Sequence, residues 1–514
     1  MLAYISGQPD RKDPYISLLP TGLCYLHAAL LEAGYDAVLA NFSGMSPRVI
    51  RHQLRQYAPS VVGISQWTHN RHDALKLAIL VKECLPGCAV IMGGSHATYC
   101  YEAILQRHAA VDLVVLGEGE RTLLQLVGRL QHGAGYADIG GLAFRKDGQV
   151  VATEPAGLIE ELDALPFSCL GLEKTFGVDQ RLQAEFIVTS RGCPSACNFC
   201  CSPVFWQRRV RFRSPRHIVD EIKAIRKRYG LIYFSLRDDT FTADRQRAIE
   251  FCRLLIEEQL CIVWNCQSRV SALDEELLIW MKRAGCECVQ LGIESGSETM
   301  LAYLGKKITL PQIDAAAAMI KTAGINLSIY LISDMPGERD QDVDATIALI
   351  KKIRPDDGYV SPLAYYPGTR LFEKAVSAGE VAGDIFDTER AQAVYALKNH
   401  GRNAARILGA LTRYSYGPAK NFSQQKLAQG YCHVTNIMAG EYYLGQGQQH
   451  AAEKEFRAIT EAEPHNPWGW YLLGELLEAS GNITEAAVCF RRSLEIVPRH
   501  QESLLGAERV SCRG

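Results

Sequence analysis

The chain has 514 residues, 47% of them hydrophobic and 22% charged, with a formal net charge of −2 and an isoelectric point near 6.7. That balance excludes a disordered chain, exerts no global pull toward nucleic acid or anionic membrane, and leaves enough apolar mass for about three domains. No apolar run approaches the ~18 residues that span a bilayer, and seventeen cysteines without a leader pattern read as reduced thiols, so a cytoplasmic location without membrane contact is expected.

Residues 1–135 alternate short apolar runs with amphipathic stretches. Strands are expected at Leu2–Ile5, Asp36–Ala40, Ser60–Ser65, Ala89–Gly93 and Asp112–Leu116, with helices near 21–34, 46–57, 71–84, 100–108 and 120–131. This is the pattern of a doubly wound parallel sheet, which binds ligands beyond the carboxyl ends of its strands. Those ends carry Ser65-Gln66-Trp67-Thr68, Gly93-Gly94-Ser95-His96-Ala97-Thr98 and Gly117-Glu118-Gly119-Glu120, where glycine lets backbone approach a bulky ligand.

A connector over 136–182 includes Gly141 to Gly148, read as a hairpin with an Asp-Gly turn. From Glu185 the alternation resumes, with strands expected at Glu185–Thr189, Ile232–Leu236, Val263–Gln267, Cys288–Ile293, Asn326–Ile332 and Tyr359–Leu363. A helical stretch follows each, which predicts a partial parallel barrel with its working face at the strand carboxyl ends. Polar groups crowd those ends: Asp238 and Asp239, then Arg269, then Glu294. Charge at the end of a buried strand favours a site over packing.

The loop after the first of these strands holds Cys193, Cys197 and Cys200 in a CxxxCxxC spacing. Three thiolates without a fourth ligand at similar spacing leave one iron of a four-iron cube open to a substrate. A structural zinc with Cys201 as fourth ligand is the competing reading, disfavoured because adjacent cysteines rarely reach one metal together. The basic run Arg208, Arg209, Arg211 and Arg213 reads as a solvated or phosphate-facing segment rather than a nucleic-acid site.

After a variable stretch, a 34-residue offset aligns Gly440 with Gly474, Tyr443 with Leu477, Gly447 with Gly481, Ala452 with Ala486, Phe456 with Phe490 and Pro464 with Pro498. This is a tetratricopeptide pattern, in which small residues let two helices touch and phenylalanine seals them. Two units and a final helix are too few to stand alone, so they are expected to pack on the core or on a partner.

The cysteine spacing resembles that of the radical S-adenosylmethionine (SAM) superfamily, whose open iron chelates SAM and whose reductive cleavage of SAM releases a 5'-deoxyadenosyl radical. The sequence Gly292-Ile293-Glu294-Ser295-Gly296-Ser297, with Met335 to Glu338 and Tyr365 to Thr369, matches that family's later loops in order. The resemblance implies that Asp238 or Asp239 receives the SAM amino group, that Arg269 approaches its carboxylate or ribose, and that Glu294 helps hold SAM. The first domain resembles the cobalamin-binding domain of one branch of that superfamily, with Ser65 and Gly93-Gly94 at the family positions. In the family's DxHxxG motif the histidine is the lower cobalt ligand. Here the aligned residues are Ser17-Leu18-Leu19-Pro20-Thr21-Gly22, so no axial imidazole comes from that loop. Trp67 or His69 could approach the lower face.

The resulting expectation is an α/β protein: an N-terminal doubly wound Rossmann-like cobalamin-binding domain (1–135), the connector (136–182), a partial (β/α)6 radical SAM barrel (183–385), a helical linker (386–430) and C-terminal all-α tetratricopeptide repeats (431–514). The metal ligands are Cys193, Cys197 and Cys200, holding a [4Fe-4S] cluster. Cofactor contacts come from Ser65, Trp67, Gly93, Gly94, Ser95, His96, Gly117 and Glu118 for cobalamin, and Asp238, Asp239, Arg269 and Glu294 for SAM. The family implies a cobalamin-dependent methyltransferase acting at an unactivated carbon of a small molecule or peptide. An external electron donor such as flavodoxin or ferredoxin is expected, and a protein partner through the repeats. The alternatives are an oxidoreductase or cyclase of the same architecture, and a scaffold that works through its repeats. A methylthiotransferase is disfavoured because the first domain lacks a second cysteine trio.

Overall fold

The computed structural model describes residues 1–7, 18–388, 401–415 and 421–513. By contact they fall into two compact units: 1–184, 192–211 and 364–396 form one, and 185–191, 212–363 and 397–514 form the other, each within the described residues.

In the first unit, short apolar runs form the parallel strands β1 (Leu2–Tyr4), β2 (Leu39–Asn41), β3 (Val61–Ser65), β4 (Ala89–Gly93) and β5 (Leu113–Val115). The helices α1 (Thr21–Glu32), α2 (Pro47–Tyr57), α3 (Arg71–Cys84), α4 (Ser95–Arg107) and α5 (Glu120–Gln131) alternate with them. Local chemistry sets their ends. Ser46 caps α2 by accepting the Val49 amide, Pro47 opens it, and Ala58 closes it in the left-handed region. Helix α4 begins at Ser95, five residues before the expected start, because Gly94 turns at φ +101° and starts the helix at once.

The stretch expected as a connector extends this sheet instead. Its strands β6 (Leu142–Lys146) and β7 (Gln149–Ala152) join β5 antiparallel, and β8 (Thr175–Phe176) pairs with β2 at the far edge, giving the order β7-β6-β5-β4-β3-β1-β2-β8. Edge strands leave amide groups unpaired, and these additions satisfy them. Asp147 and Gly148 both turn at positive φ, as a two-residue hairpin requires. The parallel order reverses between β1 and β3, which makes that crevice the topological switch point. Asn70 locks it: its amide nitrogen donates to the carbonyls of Ile5 (2.8 Å) and Ser65 (3.2 Å), and its oxygen accepts the Trp67 amide at 2.7 Å.

In the second unit a six-stranded, all-parallel sheet runs in sequential order. Its strands are β9 (Phe186–Ile187), β12 (Tyr233–Leu236), β13 (Val263–Ser268), β14 (Cys286–Glu294), β15 (Asn326–Ser333) and β16 (Asp357–Pro362). Short extended pieces, β10 (Ser190–Arg191) and β11 (Arg211–Phe212), bracket the cysteine loop in sequence. One face is apolar and buried, with Leu291, Ile293 and Ile329 inaccessible, while Gln267, Gln290 and Tyr330 on the other are half-buried. The helix Arg402–Tyr414, from the expected linker, packs beside β16, and its Arg406 pairs with Asp340 and Asp344 at 2.6 Å. Phe422–Gln429 of that linker forms a second helix, and 389–400 and 416–420 lie outside the described residues.

The tail folds as the repeat pattern predicts, in helices His433–Gly445, Gln449–Ala462, Pro467–Ala479, Ile483–Ile496 and Gln501–Ser511. A Cβ at Gly440 would overlap the Phe456 ring, and one at Gly474 would lie 2.8 Å from Phe490, so both glycines are required for helix contact. The tail packs on the barrel. Phe422, Val434, Met438, Phe456 and Phe490 share a core with Val263 at the start of β13. Lys282 is buried before β14, its ammonium 2.6 Å from the Gly324 carbonyl and 3.2 Å from the Met438 sulfur. Gly230, which precedes β12, lies so close to the Arg499 carbonyl that no Cβ fits. All these contacts lie at the ends where the strands begin.

Candidate cofactor sites

The carboxyl ends of β3, β4 and β5 form the crevice that the glycine pattern anticipates. The Gln66 amide donates to the Gly93 carbonyl at 2.7 Å, and a Cβ at Gly94 would sit 2.7 Å from the Gln66 carbonyl, so Gly94 is required by the fold itself. Gly93 is different. A Cβ there would make only ordinary contact, 3.7 Å from the Val115 carbonyl, and one at Gly117 would meet nothing within 4 Å. Open space over Gly117, with no clash at Gly93, fits a bulky ligand seated on the backbone. Ser65 is buried beside this space, its neighbour Gln66 has a buried side-chain oxygen, Oε1, without a partner, and Trp67 is 40% exposed. Ser95 opens α4, so the helix's free amide groups face that end.

Two residues of the expected cobalamin set have other work. His96 is buried, with Nδ1 3.1 Å from the Thr68 hydroxyl and its ring edge-on to Phe386; burial, aided by the Arg71 charge, pushes it down to about 3. It borders a cavity of about 570 Å³ shared by Gln66, Arg71, Tyr99, Gly368 and Phe386. Glu118 is also buried, where it accepts the Ile159 amide at 2.7 Å and pairs with Arg211 at 2.6 Å. Leu19, at the position of the motif's histidine, is a core residue whose amide donates to Gln183 Oε1 at 2.9 Å. Ser17 lies outside the described residues. His69 bonds the Tyr4 hydroxyl at 2.9 Å, and burial lowers its affinity for a proton.

The cysteine loop belongs by contact to this same unit. Gly192 enters it at φ +103° against the Arg209 carbonyl, where a side chain cannot fit. Cys193 and Cys197 are buried, and Cys200 and Cys201 half-buried. Among the described residues, no three His, Cys, Asp or Glu side chains are gathered as for a single metal ion. A four-iron cube takes its thiolates at separate corners, so three soft donors in one loop need no such convergence to hold it. The loop is anchored by the Leu371 amide, which donates to the Asn198 carbonyl at 2.9 Å. Gly368, in the same Tyr-Pro-Gly-Thr loop, packs flat on the ring of Tyr99.

In the barrel unit, Asp238 is consumed structurally. Its carboxylate accepts the amides of Thr189 (2.6 Å) and Ser190 (3.0 Å) and the Thr189 hydroxyl, holding the junction that leads into the cysteine loop. Asp239 is exposed and Arg269 half-buried. Glu294 sits at a bulge between β14 and β15, with φ +70°, and pairs with Lys306 at 2.6 Å. A Cβ at Gly292 would stand 2.7 Å from Glu294 Oε1 and 3.0 Å from Lys306 Nζ, so glycine makes room for the pair. A non-glycine residue in that conformation stores strain, as binding sites do. Ser190 Oγ is buried without a partner, which fits a polar ligand beside it. Lys306, Asn70 and Arg211 were absent from the expected set. Asn70 carries a signal, as an asparagine opening a helix, whereas Lys306 acts through Glu294, 12 residues before it and across a bulge, and Arg211 through Glu118, 93 residues away.

Comparison with known proteins agrees with this architecture. The B12 binding domain profile matches residues 16–127, the radical SAM superfamily profile 187–350, and the tetratricopeptide repeat profile 469–500. An uncharacterized methyltransferase of Pyrococcus horikoshii is 33% identical over 371 residues, 70% of this chain and 78% of the relative. An anaerobic magnesium-protoporphyrin IX monomethyl ester cyclase of Rubrivivax gelatinosus is 30% identical over 382 residues, 72% and 68% of the two chains. The solved radical SAM methyltransferase TsrM from Kitasatospora setae, with cobalamin and a [4Fe-4S] cluster bound, shares the fold at a TM-score of 0.64 and 16% identity, covering 89% of this chain and 99% of that one. The chain belongs to the radical SAM superfamily, in the branch that carries a B12 binding domain.

Proposed function

We propose that this protein is a cobalamin-dependent radical SAM methyltransferase acting on an unactivated carbon. The observation that carries the reading is one chain holding both a three-cysteine loop after the first strand of a parallel half-barrel and a doubly wound sheet whose carboxyl ends open over Gly117 beside Gly93. When bound, the cluster and SAM supply a hydrogen-abstracting radical and cobalamin a transferable methyl group. Cys193, Cys197 and Cys200 are the cluster ligands. Asp238 fixes the approach of their loop, and Asp239, Arg269 and the Glu294–Lys306 pair orient SAM at the strand ends. Ser65, Gly93, Gly94, Ser95, Gly117 and Trp67 present the cobalamin surface. The substrate is a small molecule or peptide, an external flavodoxin or ferredoxin gives the electron, and the reaction runs in the cytoplasm.

A cyclase or oxidoreductase of the same build is the second reading, favoured by the cyclase relative. Reconstituted anaerobically and given SAM with a deuterated methyl group, a methyltransferase yields product carrying three deuterium atoms. Product without deuterium would select the second reading.

A further inference from the structure

The barrel interior holds a cation, Arg237, that makes no salt bridge among the described residues. Strand register aligns Leu236 with Cys266 and Gln267 with Gln290, and Gly292 with Tyr330, which brings Arg237, Gln267, Gln290 and Tyr330 into neighbouring positions on four adjacent strands. The Tyr330 hydroxyl donates to Gln290 Oε1 at 2.9 Å, and the Arg237 guanidinium and Gln267 amide lie against that hydroxyl. Arg237 also stacks over the Phe186 ring at 4.7 Å. Beyond this layer, Tyr359 stands 59% exposed on the last strand with its ring 6.3 Å from Tyr330.

Among the described residues, Arg237 forms no salt bridge. Glu185 is the acid that feels its charge, and burial pushes that carboxyl up to about 7, so it is only partly ionised near neutrality. A half-buried guanidinium costs desolvation, and stacking on one ring returns only about 0.5–2 kcal/mol. What remains is a planar fork, held by Phe186 and Tyr330, whose geometry matches two oxygens of an oxyanion.

We infer that Arg237, flanked by Tyr330, Gln267 and Gln290, receives an anionic group of the substrate, a carboxylate or phosphate, inside the barrel. This rests on the radical SAM reading of the barrel and adds the charge class of what is methylated. SAM has a carboxylate of its own, so the test must separate the two.

The reconstituted full-length enzyme is titrated calorimetrically with inorganic phosphate and with propionate, and the KM for SAM is measured by 5'-deoxyadenosine release. Saturable binding of either ion is expected, weakened about tenfold to a hundredfold in Arg237→Gln, the worth of a charge-assisted hydrogen bond, and partly restored in Arg237→Lys. Tyr330→Phe, which keeps the cation, should show a smaller loss and covers the case in which Arg237→Gln fails to fold. Overturning results are a KM for SAM that rises by that factor while ion affinity is unchanged, which would give Arg237 to SAM, or ion binding indifferent to both substitutions. A wild-type enzyme that releases no 5'-deoxyadenosine would instead defeat the radical SAM reading, and the ion titration would still report on Arg237.

Discussion

Arg211 and Glu118 meet in a buried ion pair at 2.6 Å, with the Arg211 guanidinium also over the Trp206 ring at 5.2 Å. The pair ties the segment that follows the cysteine loop to the loop after β5. Removing one partner leaves an uncompensated buried charge, so Glu118→Ala should cost about 3–5 kcal/mol in urea unfolding. Glu118→Ala with Arg211→Met should recover much of that loss. A small effect from the single substitution would mean that the pair is solvated in solution.

The three cysteines should be individually indispensable. Cys193→Ala, Cys197→Ala or Cys200→Ala is expected to abolish four-iron absorption and 5'-deoxyadenosine release, whereas Cys201→Ala keeps both. SAM cleavage at full rate by Cys197→Ala would sink the ligand assignment.

Cobalamin should bind without a protein imidazole. Leu19 replaces the usual ligand, and His69 is engaged by Tyr4, so the Co(II) form should show no nitrogen superhyperfine splitting from below. His69→Ala should leave that electron paramagnetic resonance spectrum unchanged.

Glu185 should make stability depend on pH. Its folded affinity for a proton lies near 7, above the ordinary 4.5, so the folded chain holds the proton more tightly than the unfolded one. Its stabilising contribution is complete below 4.5 and is lost as pH rises to about 7. Glu185→Gln removes the ionisable group, so its melting temperature should exceed that of wild type at about pH 8 and show no such gain at about pH 5. A gain of equal size at both values would show that Glu185 does not titrate as placed.

The tail should be a structural partner of the barrel. Gly230→Ala should cost about 1–2 kcal/mol for its left-handed backbone and about 1–3 kcal/mol more for overlap with Arg499. In a chain truncated after residue 430 only the first cost should persist, and the truncated parent should itself melt lower. Equal costs in both chains would mean that the repeats leave this surface.

Periodicity made most elements legible: β1 to β5 of the first sheet and all six strands of the barrel fall on the apolar runs that announce them. The equivalence of Gly440 and Phe456 with Gly474 and Phe490 likewise shows in an offset of the sequence and again in the helix contacts. Local patterns could not reveal which polar residues were committed to the fold. Asp238 looks like a ligand-binding acid until Thr189 and Ser190 are seen to bind it, and Glu118 until Arg211 is placed 93 positions away. The edge strand β8 was hidden for the same reason, since a two-residue strand is defined by the sheet it joins, and the β6–β7 hairpin was legible through its Asp-Gly turn but not its place beside β5.

The repeats rest where the strands begin, whereas the residues expected to hold SAM stand where the strands finish. A protein gripping the outward side of those helices would hold the barrel from behind, leaving its mouth unobstructed. The enzyme could then be tethered within an assembly, or passed from one neighbour to another, while substrate continues to enter and leave.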